Sequence, residues 1–129
     1  MSSTDPMRPE GELRVTLPWP PKVLSPNARV HWARKAKATG AVRFEAKWSV
    51  LAARGTVIKP KWPAAVLSVE FCPPDKRRRD LDNLIASMKA ANDGIADALG
   101  IDDSKFQTTY RMGEPVKGGA VHVTIRRAA

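Results

Sequence analysis

Between residues 13 and 17 the chain alternates Leu, Arg, Val, Thr, Leu. That period of two sets three apolar side chains on one face of a strand and leaves the polar ones to water. Pro18, Pro20, Pro21 and Pro26 follow, and because proline fixes φ and lacks an N–H they predict an extended loop without regular hydrogen bonding. From about residue 28 to 54 the period lengthens. Ala41, Phe44, Trp48 and Leu51 recur at spacings of three and four with Arg43, Glu45 and Lys47 between them, which predicts an amphipathic helix with that stripe facing the core. Lys37 and Gly40 weaken the stripe upstream, and Gly55 is a suitable helix stop. Residues 64–71 read as a second strand closed by Pro73–Pro74. Leu84, Met88, Ala91, Ile95 and Leu99 mark a second helix, from near Asp82 to Gly100. Two more strands are expected at 107–112 and 120–125, and Pro115, Gly118 and Gly119 between them predict a hairpin loop.

The order β-α-β-α-β-β in a chain of 129 residues predicts one α+β (mixed α/β) domain over residues 12–129. Its economical form is one mixed or antiparallel sheet carrying two main helices. Residues 1–11 read as a disordered lead-in without the apolar stretch of a secretory signal. No run approaches the roughly 20 apolar residues of a membrane span. A single cysteine, Cys72, excludes an intramolecular disulfide and a multi-cysteine zinc site. It suits a reducing cytoplasm, and its place after the apolar run 66–71 predicts a buried structural thiol.

Charge narrows the function. Twenty-two Lys and Arg against thirteen Asp and Glu leave a net charge of +9, which raises the local concentration of polyanions, nucleic acid foremost among them. The acids are not scattered. Asp80 and Asp82, one residue apart, project to one side of an extended chain, and two adjacent carboxylates repel unless a cation lies between them. Hard oxygen donors select magnesium, manganese or calcium. Asp102 and Asp103 offer a further ligand, whereas an EF-hand is excluded because Leu84 and Ile85 stand where that loop needs a ligand and a glycine. Each acid also has a plain reading: Asp82 as helix cap or dipole partner, Asp102–Asp103 as a turn. The run Lys76-Arg77-Arg78-Arg79 directly precedes Asp80. Cations that hold a phosphate backbone beside metal-binding carboxylates suit phosphodiester chemistry.

DLDNLIASMKAANDGIADALGIDD, with the basic run before it, resembles the signature of the RusA-type Holliday-junction resolvases. In that family Asp-x-Asp-Asn opens a helix and an Asp-Asp pair follows it. Leu17-Pro18-Trp19-Pro20-Pro21, Asn27 and Lys117-Gly118-Gly119 extend the likeness over about residues 13 to 125. The resemblance implies a homodimeric crossover junction endodeoxyribonuclease that makes paired cuts in a four-way DNA junction during recombination and repair. Its magnesium (manganese as substitute) would be held by Asp80, Asp82 and Asp103, with Asp102 as an additional contributor. Arg79 would contact phosphate, together with Lys76, Arg77 and Arg78. Lys89 would be the catalytic lysine, although the family places that residue about six positions after the first aspartate, where this chain has Ala86. Arg34 and Lys35 are further candidate phosphate contacts, as is His31 beside Trp32. The implied setting is the cytoplasm of a bacterial or phage-infected cell.

Geometry adds one expectation. An unbroken helix from Asn83 to Leu99 would be roughly 25 Å long and would hold Asp103 far from Asp82. Either the helix breaks near Asn92–Gly94, or one site draws aspartates from two subunits. Trp32 and Trp48 are assigned to the core rather than to a base-stacking platform, and His122, between Val121 and Val123, to an outward strand position. The competing functions are a non-catalytic basic DNA-binding protein and a metal nuclease acting on other branched DNA.

Overall fold

The computed structural model describes residues 12–54 and 62–128. The lead-in expected over residues 1–11 and the helix stop expected at Gly55 lie outside them. Strand β1 (Glu12–Leu17) passes through the proline loop, which contains a 3-10 turn at Lys22–Leu24, into helix α1 (Trp32–Arg54). Strand β2 (Ala65–Cys72) is followed by helix α2 (Leu81–Ala86), helix α3 (Lys89–Leu99), a 3-10 turn at Asp103–Lys105, and strands β3 (Phe106–Met112) and β4 (Ala120–Arg127). A single domain of mixed α+β character results, as the residue pattern predicts. No helix among the described residues is long and apolar enough to cross a membrane.

The sheet has the order β1-β4-β2-β3, and this corrects the expected hairpin. β4 pairs antiparallel with both β1 and β2, whereas β3 runs parallel to β2 at the edge. The physical reason lies in the two strands' faces. β4 places Val121, Val123 and Ile125 in the centre of the core face, while β3 exposes Gln107, Thr109, Arg111 and Met112 and so suits an edge position. The 113–119 connection crosses the end of β2 instead of turning tightly. Gly113 N donates to Phe71 O at 2.8 Å and Val116 N to Pro73 O at 2.9 Å. Gly118 and Gly119, at φ 80° and 74°, then reverse the chain in a conformation that favours glycine.

One sheet face forms the core. Leu13, Val15 and Leu17 of β1, Leu67, Val69 and Phe71 of β2, and the buried residues of β4 meet α1 and α3 there. Full burial of a large aliphatic or Phe side chain stabilises by roughly 1.5–3 kcal/mol, so these strands supply much of the driving force. Phe71 packs edge-on against Trp19 and stacks on Tyr110.

The second predicted helix is two helices. The chain leaves helical pairing at Ser87–Met88, not near Asn92–Gly94. The Ser87 hydroxyl donates to Asn83 O at 2.9 Å and Met88 N to Ile85 O at 3.0 Å, a side-chain competitor and a tightened turn that together end α2. Gly94, the expected break, lies inside α3 at its crossing with α1. A Cβ there would sit 2.2 Å from Arg43 O and 3.0 Å from Ala46 Cβ, so glycine is required for close approach of the two backbones. α3 ends where predicted, with Gly100 in the left-handed conformation and its N–H bonded to Ala96 O.

The predicted stripe of α1 is also corrected. Ala46 and Val50 are its buried residues, with Val42, Leu51 and Ala53 packed beside them. Phe44 and Trp48 are 64% and 54% exposed, and Trp32 is 75% exposed. Where α1 meets α3 the space is set by Gly94, and only small or β-branched side chains fit it. The large aromatics are therefore turned outward, and neither tryptophan assigned to the core lies there.

Candidate functional site

The loop after β2 is organised by Asp75. Its carboxylate accepts from Arg77 N at 2.9 Å and pairs with the Arg77 and Arg79 guanidinium groups at 3.2 and 2.9 Å. Arg79 first, then the Arg77 N–H, hold this carboxyl well below the usual carboxylate range. Arg79 also donates to the carbonyls of Asp75 and Arg77 and lies 5.6 Å from the centre of the Trp19 ring. It is thereby the mostly buried member of the basic run, bent back onto its own loop, while Lys76, Arg77 and Arg78 face solvent.

Asp80 caps α2. Its backbone is extended, and its Oδ1 accepts from Asp82 N at 2.9 Å, which satisfies one orphan donor of the first helical turn. Asp82 occupies that first turn, where the helix dipole favours an anion. Both acids are exposed, and the Asp82 carboxylate has no hydrogen-bond or ion-pair partner among the described residues. The cap explains why the chain turns at Asp80. It leaves Asp80 Oδ2 and both Asp82 oxygens available.

A second acidic centre lies along α3. Lys89 Nζ donates to Asp103 Oδ2 at 2.8 Å and to Asp93 Oδ1 at 2.9 Å. These two acids, Asp103 foremost, push the Lys89 ammonium above its ordinary pKa, and Lys89 followed by Asp102 holds the Asp103 carboxyl down. Asp102 caps the turn at Asp103–Lys105 by accepting from Ser104 N at 2.9 Å. Asp93, Asp97, Asp102 and Asp103 line one open groove with Arg43, and Arg43 grips Asp97 through two hydrogen bonds of 2.7 and 2.9 Å. Asp93 is the contributor that sequence reasoning passed over; its signal was the helical i,i+4 spacing from Lys89.

Lys35 and Lys89 share a hollow with Leu24, Pro26, Thr39, Ala86, Ser87 and Ala90, so the start of α1 lies on the same surface as the break between α2 and α3. Arg34 and His31, at the start of α1, are exposed, and His31 Nδ1 accepts from Ala33 N at 3.2 Å. The carboxylates of Asp80, Asp82 and Asp103 do not close into a three-ligand cluster in one protomer. Among the described residues the one such cluster is Glu70, Cys72 and His122, with ligand atoms within 4.8 Å of one another. Sequence reasoning missed it, because no local spacing links His122 to a cysteine or carboxylate; the register of β2 against β4 does.

Magnesium retains several waters and is held by one or two carboxylates. The exposed pair Asp80 and Asp82 offers the hard oxygen donors such an ion takes, while the Asp103 carboxylate is bound to Lys89.

No family model matches the chain. A protein of Xylella fastidiosa (strain Temecula1), which bears the name "Uncharacterized protein", is 43% identical over 120 residues, spanning 86% of this chain and 74% of the relative. The chain belongs to the same family as that protein.

Proposed function

We propose that the protein is a magnesium-dependent, structure-specific endodeoxyribonuclease of RusA-like type that resolves four-way DNA junctions by paired strand cleavage. The observation that carries the reading is the union, in one loop and cap, of Asp82, unpartnered among the described residues, and the half-engaged Asp80 with exposed Lys76, Arg77 and Arg78. A protein that only bound DNA would gain nothing from exposed carboxylates beside its phosphate contacts, because they repel the backbone. Bound to Asp80 and Asp82, magnesium would activate water and stabilise the leaving oxygen of a phosphodiester.

The chain's own groups divide the remaining work. Lys76, Arg77 and Arg78 hold backbone phosphates, with affinity that falls steeply as salt rises. Arg79 acts as a positioning residue, keeping the loop folded through Asp75 and Trp19. Lys35, which shares a hollow with Lys89, adds a further phosphate contact. Lys89 keeps Asp103 ionised and oriented. Two copies in a homodimer supply two sites for opposed strands, and Asp103 of one copy would complete the site of the other, in keeping with the three carboxylates not closing into one cluster within a protomer.

Cleavage of a synthetic four-way junction and its matched linear duplex, with magnesium, tests the reading with wild type and Asp82→Asn. Paired symmetric cuts in the junction alone, lost in the variant, are expected. Tight junction binding by wild type without cutting would move the assignment to a DNA-binding protein. Mixing Asp82→Asn with Asp103→Asn should restore part of the activity if sites are shared between subunits, and no recovery would refute the shared site.

A further inference from the structure

On the sheet face turned away from α1 and α3, three side chains of different ligand chemistry converge. Glu70 and Cys72 are two residues apart on β2 and so share a face. His122 is the direct antiparallel partner of Glu70 on β4. Each offers a ligand atom within 4.8 Å of the other two. The residues around them hold this set in place. Arg111 Nη2 binds Glu70 Oε2 at 2.8 Å, and the other oxygen, Oε1, faces Cys72 Sγ at 3.8 Å. Thr16 Oγ1 lies 3.0 Å from His122 Nδ1, a contact that orients the ring and leaves Nε2 for coordination. Gly113 makes room for the carboxylate: a Cβ there would come within 2.8 Å of Glu70 Cδ, Cγ and Oε2.

We propose that Glu70, Cys72 and His122 bind a borderline-soft divalent cation of the zinc class through one carboxylate oxygen, one thiolate and one imidazole nitrogen, with a fourth position open to solvent. A thiolate with an imidazole selects zinc, cobalt or copper over magnesium and calcium, so this site is chemically separate from the aspartate pair. As the S–metal bond forms, the Cys72 thiol releases its proton to water. The ligands come from the two central strands, and the bound ion therefore ties β2 to β4 beyond their backbone pairing.

Cobalt(II) is the probe, titrated into chelator-treated full-length protein and then displaced with zinc. One equivalent should bind, with a thiolate-to-cobalt charge-transfer band in the near ultraviolet that zinc abolishes and excess magnesium does not. Cys72→Ser should remove the band, and His122→Ala should weaken binding at least about 100-fold. His122 is exposed, so that variant remains informative if the change at buried Cys72 prevents folding. Asp82→Asn should bind cobalt as wild type does, which separates this site from the proposed nuclease centre. Absence of cobalt binding at micromolar concentration, binding without the charge-transfer band, or unchanged binding by His122→Ala would each overturn the proposal.

Discussion

Helices α1 and α3 pack against each other, yet α3 buries its large apolar side chains and α1 turns its largest ones outward. α3 faces the core with Ile95, Leu99 and a set of alanines, in the phase its apolar residues announce. α1 buries Ala46 and Val50 and turns Phe44 and Trp48 to solvent, where the two rings lie 6.0 Å apart. The difference comes from the crossing. Gly94 lets the backbone of α3 approach that of α1 so closely that Arg43 O occupies the space of a side chain. Residues of α1 that face this seam must be small, and apolar size ceases to indicate burial. Hydrophobic periodicity reports a core face only where the neighbouring element leaves room for large side chains.

Removing a large buried group from the legible helix should have the greatest effect. Ile95→Ala is expected to cost about 2–5 kcal/mol in urea unfolding, because Ile95 is fully buried and its loss leaves a cavity. A cost under 1 kcal/mol would show that α3 does not bear on the core as described. Adding a methyl at the crossing comes next. Gly94→Ala should destabilise by about 1–3 kcal/mol through overpacking, even though alanine favours a helix by about 1 kcal/mol over glycine; a stabilised variant would mean that the helices are not in backbone contact. The smallest change is expected from the largest side chain removed. Trp48→Ala should alter stability by less than about 0.5 kcal/mol, as exposed substitutions usually do. A loss of 2 kcal/mol would place Trp48 in a packed interface and erase the contrast between the helices.

The acidic residues divide in the same manner. Asp82 as dipole partner in the first helical turn and the stop at Gly100 were legible because each depends on backbone groups within a few residues, although the cap itself is Asp80 and not Asp82. The pairing of Lys89 with Asp103, fourteen residues away, was not, because it depends on how the turn after α3 folds back along that helix. The hairpin expected from Gly118–Gly119 misled for a related reason. Glycine chemistry predicts that a chain reverses, but not which strand it then meets.

Alternation and capping, which are local, were enough to determine that this chain forms four strands and helices in one α+β domain, and that a basic run leads into two neighbouring carboxylates. Only the tertiary structure decided the insertion of β4 between β1 and β2, the outward turn of Phe44 and Trp48, the pairing of Lys89 with Asp103, and the meeting of Glu70, Cys72 and His122. These arise from register and close packing between segments distant in sequence, where the space left by one element selects what its neighbour can bury.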